Sequence, residues 1–192
     1  MWNVNAWRPA QPGDFAWDDR LLRGQDAVEW VVPGSDPLPD WFRPDFGSDQ
    51  MIRMGVFGQA YFGGAMGRER LAMLQPGHPV REAAWPFRDI RGRQCKDVNR
   101  HGRKASLPRE WWLHRGLIFD YDPLGWFEWL VWYEQGRRLP SYDHWQMLRW
   151  ARFKQRQGRH YIARPQPGQA QALLHWGIDA GRLYHAAATG GR

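Results

Sequence analysis

The chain has few of the features that make chemistry easy to read. Among its 192 residues there is one cysteine, Cys95. That excludes an internal disulfide and a multi-cysteine zinc site. No stretch approaches the ~18 consecutive apolar residues of a membrane helix, and residues 1–14 lack the basic-then-apolar order of a secretory signal. A cytoplasmic protein without a membrane partner is expected. The phosphate-loop, HExxH, GxSxG and dinucleotide-fold signatures are all absent, and the histidines at 78, 101, 114, 144, 160, 175 and 185 show no metal-ligand spacing. Neither a cofactor nor a metal is expected. There is also no repeat, no heptad register and no long alternating pattern of the kind a large sheet requires.

Aromatic rings and positive charge are abundant. Fourteen tryptophans, nine phenylalanines and six tyrosines make up 15% of the chain. Each ring buries ~150–250 Å² and each buried indole N–H needs an acceptor, so some of the rings are expected to line a groove. Residues 1–50 hold four Arg and nine Asp/Glu, whereas residues 51–192 hold 23 Lys/Arg and 11 Asp/Glu. The net charge of +7 thus hides a basic body, and a pI near 10.1 is the footprint of a polyanion binder. The plain alternative is a basic surface without a partner.

Length and composition fit a single folded domain. Residues 1–47 are broken by Arg8-Pro9, Pro12-Gly13, Pro33-Gly34, Pro37, Pro39 and Arg43-Pro44. Proline excludes long helices there, which predicts an irregular arm pinned to the body by Trp7, Trp17, Trp30, Trp41 and Phe42. The body, residues 48–185, reads as mainly α with room for a short β-hairpin, and residues 186–192 as a frayed tail. Helices are expected from Ser48, over residues 107–116, from Asp122 to Gly136, from Ser141 to a stop at Gly158, and from Gly168 to Asp179. The glycine-rich segment 55–64 marks a close backbone approach, either to a ligand or to a turn packed under the core. Residues 88–104, polar and strongly basic with little apolar periodicity, are expected to form a loop or a short hairpin.

Two acids stand out, Asp120 and Asp122, immediately before an aromatic helix. A carboxylate beside apolar rings is desolvated and suits acid or base work, while one that caps a helix needs no chemistry. Both readings remain open for Asp122. Between residues 137 and 164 there are eight cations and one acid, Asp143. A solvated helix face mixes both signs, so this imbalance points to phosphate contacts.

Three segments carry a resemblance: Gly55-Val56-Phe57-Gly58 with Tyr61-Phe62, Asp122-Pro123-Leu124-Gly125-Trp126-Phe127-Glu128-Trp129 running on to Tyr133 and Gly136-Arg137-Arg138, and Ala172-Leu173-Leu174-His175-Trp176. Over about residues 40–180 the chain resembles a family of small basic proteins found across bacteria, viruses and eukaryotes. It departs from that family's pattern in lacking an Arg-Gln pair at 169–171 and the cysteines that flank the last basic helix. The chain is also similar to phage-defence DNA glycosylases that excise glucosylated hydroxymethylcytosine. That resemblance implies a DNA-binding enzyme that flips a modified base and cleaves its N-glycosidic bond. In such an enzyme Asp122 would be the catalytic carboxylate with Asp120 as second choice. Gln59, Tyr61 and Trp126 would contact the base, and Arg103, Lys104, Arg137, Arg138, Arg149 and Lys154 would hold phosphates. A non-catalytic nucleic-acid-binding module and a partner-binding protein are the alternatives.

Overall fold

The structure, a computed structural model, describes residues 26–84 and 95–190. The chain is mainly helical. In chain order the elements are β1 (Glu29–Trp30), α1 (Ser48–Arg53), α2 (Gly64–Ala72), α3 (Pro79–Ala84), a 3₁₀ turn (Lys96–Val98), α4 (Arg109–His114), α5 (Trp126–Glu134), β2 (Arg137–Arg138), α6 (Pro140–Ala163), α7 (Pro167–Leu174) and α8 (Ala180–Thr189). The small sheet is antiparallel and joins distant segments, pairing Glu29 with Arg138 and Trp30 with Arg137.

Helix α5 occupies the centre because no face of it is polar enough to stay wet. Its residues Trp126 to Tyr133 are all buried. Phe42 packs edge-on against Trp129 and Trp150, with centroids 5.7 and 5.1 Å away, so the segment before α1 is fastened at its core end. Trp30 and Trp41, expected as further anchors, are instead exposed at 60% and 43%. Trp7 and Trp17 lie outside the described residues.

Helix α6 spans 24 residues, about 36 Å at 1.5 Å per residue. It continues through Gly158, where a stop was expected. The reason is packing: a Cβ on Gly158 would lie 2.8 Å from Leu183 Cδ2, so the missing side chain lets α8 approach α6 closely. The predicted helix over 168–179 is in fact two. Gly177, at φ +65°, turns the chain after α7, and Asp179 caps α8 by accepting from the backbone N–H groups of Gly181 and Arg182. Helix α8 then continues to Thr189, through residues expected to fray.

The glycine-rich segment turns under the core. A Cβ on Gly55, at φ +65°, would overlap the carbonyl oxygen of Val98, so the 3₁₀ turn sits directly on its backbone. Gln171 Nε2 and His175 Nε2 both donate to the Val56 carbonyl, at 2.6 and 2.9 Å, which ties this turn to α7. Buried His175 is held to about 4 by desolvation, with the Val56 bond opposing the shift, and is neutral at physiological pH.

Candidate nucleic-acid interface

Asp122 ends a turn in which its N–H donates to Phe119 O at 3.1 Å, and its own carbonyl accepts from Gly125 N at 2.8 Å. Gly125 adopts φ +97°, a backbone conformation that favours glycine, and α5 starts one residue later. Asp122 therefore does not cap that helix. Its side chain is fully buried and receives the Arg137 guanidinium fork, Nη1 to Oδ1 at 2.9 Å and Nη2 to Oδ2 at 2.6 Å. Desolvation nonetheless raises the proton affinity of Asp122, against the pull of Arg137 and then Arg70.

A second buried acid lies in the same cluster. Glu128 is 1% exposed and pairs with Arg70 Nε, and its Oε2 accepts from Leu124 N at 2.8 Å. Burial and the neighbouring Asp122 charge both raise its proton affinity. Arg70 Nη2 also donates to the Tyr121 carbonyl at 3.0 Å, so the two arginines and two acids enclose the turn before α5. Tyr61 completes the helix start from a remote segment: its hydroxyl accepts from Glu128 N and donates to Leu124 O. Sequence reading missed Arg70 and the role of Glu128. The available signal was a carboxylate set among the aromatic residues of an otherwise apolar stretch of helix, which must find a cation.

The predicted site residues therefore separate. Asp122 and Arg137 are joined, while Asp120 is exposed and apart from the cluster's hydrogen bonds. Tyr61 has its hydroxyl engaged in capping. Trp126 is 6% exposed with its ring against Trp176, and its Nε1 has no acceptor among the described residues. Gln59 takes φ +63°, the only left-handed non-glycine conformation among the described residues, and lines a shallow depression together with Tyr61, Gly55, Phe57 and Phe62, so these two expected base contacts do meet.

The cations divide in the same way. Arg137 and Arg138 are 7% and 8% exposed, facing Asp122 and Asp36 rather than a surface track. The pairing with β1 and the stacking of Arg138 over Tyr133 turn that strand inward. Arg149 lies over Trp145 at 4.5 Å and donates to Leu117 O and Gln146 Oε1, and burial lowers it to about 10 while leaving it charged. Arg103 and Lys104 are exposed beyond a turn closed by Asn99, whose side chain bonds both the Arg103 N–H and its carbonyl. Lys154 sits over the Trp150 ring at 4.7 Å.

The cations of α6 that reach solvent lie along its later turns, from Arg152 onward. From His144 to Arg164 there is no acid and there are six Lys/Arg. The acid preceding them, Asp143, is turned inward to accept from Trp129 Nε1 and Leu139 N, both at 2.7 Å. Helical spacing places Arg152, Arg156 and Arg159 along one stripe, beyond the inward Arg149, and Lys154, Gln157, Tyr161 and Arg164 along another, beyond the buried Trp150. Arg159 and Arg164 are exposed.

Among the described residues no group of three or more His, Cys, Asp or Glu could hold a metal, and no helix is long and apolar enough to cross a membrane. No protein-family model, curated protein or solved structure matches the chain.

Proposed function

We propose that the protein binds nucleic acid, DNA first, by laying the phosphate backbone along the outer side of α6. The observation that carries this reading is the acid-free run from His144 to Arg164, whose nearest carboxylate in sequence, Asp143, is turned into the core. A helix face that only needed solvation would carry acids among its cations. About four phosphate contacts give a log-log salt slope of about −3.6 on duplex DNA, or about a 150-fold loss of affinity between 50 and 200 mM salt. Fluorescence anisotropy on a labelled duplex measures this. A slope near zero removes the reading.

Excision of a flipped base is the finer form of the same proposal. It is favoured by one observation, the raised proton affinity of the two buried carboxylates Asp122 and Glu128, which is the property a general acid needs. In this form Asp122 reaches a sugar only after Arg137 swings away from it. The non-catalytic module requires no such opening and is the simpler reading of a sealed ion pair.

A further inference from the structure

A cleft of about 200 Å³ opens where the turn after the 3₁₀ helix meets the start of α8, lined by Phe46, Arg100, His101, Tyr161 and Asp179 over a floor of Leu174 and Ile178. None of the expected base contacts lies in it. Drug-sized pockets occupy ~300–1,000 Å³, so the occupant here is a single ring system rather than a whole nucleotide.

The walls suit a heterocycle. Tyr161 is only partly buried and supplies an aromatic face, and the apolar floor excludes water beneath it. His101 lines the cleft, and its backbone is anchored by the N–H donating to Gln171 Oε1 at 3.2 Å. Desolvation, then the Arg100 charge, lowers its proton affinity, and a neutral imidazole can both donate to and accept from a base edge. The surroundings suit a phosphate chain. Arg100 is exposed, its Nη1 3.5 Å from the Met54 thioether, the same turn leads to Arg103 and Lys104, and Arg164, three residues after Tyr161, falls on the same side at the end of α6.

We infer that this cleft seats one unpaired base of a single strand whose phosphates run over Arg100 and Arg164, an inference that rests on the nucleic-acid reading above. The protein then prefers single-stranded over duplex DNA of the same sequence, because a paired base cannot enter. Stacking on aromatic side chains is sequence-tolerant, so the preference follows strandedness rather than sequence.

The test compares a fluorescein-labelled single strand with its duplex, for the wild type and for Tyr161→Ala, Tyr161→Phe and Arg100→Ala. Loss of one stacking partner predicts that Tyr161→Ala weakens single-strand binding about 5- to 140-fold and leaves duplex binding within about twofold. Tyr161→Phe keeps the ring and retains the preference. Arg100→Ala, an exposed position, weakens single-strand binding without lowering the melting temperature, so an unfolded Tyr161→Ala cannot be mistaken for support. Equal single-strand affinity in the wild type, Tyr161→Ala and Arg100→Ala overturns the inference while leaving the α6 track standing. Absence of wild-type binding to either form overturns both.

Discussion

Replacing Arg137 with alanine removes both hydrogen bonds from a carboxylate that has no access to water. The wild-type pair is bidentate, at 2.9 and 2.6 Å, with Asp122 at 0% exposure. Removing one partner of such a pair costs about 3–5 kcal/mol, because a charge is left buried without compensation. By contrast, truncating Arg182, which is 72% exposed and pairs with Asp45, costs about 0–1 kcal/mol. A domain of this kind holds ~5–15 kcal/mol in total, so Arg137→Ala consumes a large part of it. With a urea m-value of ~2 kcal/mol/M, the midpoint falls by about 1.5–2.5 M. Adding Asp122→Leu to Arg137→Met recovers most of the loss, since apolar replacement of both partners is close to neutral. A double-mutant cycle by urea unfolding supplies the coupling energy. A cost below 1 kcal/mol for Arg137→Ala would mean that Asp122 is already solvated and open, and the sealed-pair account would be wrong.

Two further outcomes follow from the buried titratable groups. Asp143 is raised to about 6 by burial, so between its unfolded value near 3.8 and 6 the folded state binds the extra proton and stability falls as pH rises. His175, lowered to about 4 from 6.5, has the opposite sign: stability rises with pH over about 4–6.5. Each is worth about 3 kcal/mol, so they nearly cancel in the wild type. His175→Gln then loses stability as pH goes from 4 to 6 and Asp143→Asn gains it, read from denaturation midpoints across pH; parallel profiles in the two variants contradict the assignment. For base release, incubation with modified and unmodified DNA followed by alkali exposes abasic sites as nicks. Strand breaks with the wild type that vanish in Asp122→Asn at unchanged DNA affinity support excision, and no breaks on any substrate leave the binding module.

The helical class and the central place of α5 were legible because an apolar helix has only one place to go. The long basic helix was also legible, but its length was not. Gly158 reads as a stop in one dimension, and only the approach of Leu183 from α8 explains why the helix continues. The burial of Arg137 and Arg138 was not legible for a related reason. Charge counting sees cations, whereas pairing with β1 and with Asp122 decides which way they point. Asp122 offered capping or catalysis as its two readings, and it makes a third contact with a residue 15 positions away. Glu128 could have been found by asking where a carboxylate inside an aromatic helix obtains its counter-charge. The cleft at Tyr161 could not, because its walls come from segments around residues 46, 100, 161 and 180 that only folding brings together.

The most direct test of the α6 track is the salt slope of DNA binding measured on a graded set of charge removals. Arg159→Gln and Arg164→Gln each reduce the slope by about 0.9 and the pair by about twice that, while Arg43→Gln, an exposed arginine already paired with Asp40, leaves it unchanged. If all three variants keep the wild-type slope, or if Arg43→Gln lowers it as much as the other two, the phosphates do not run along α6.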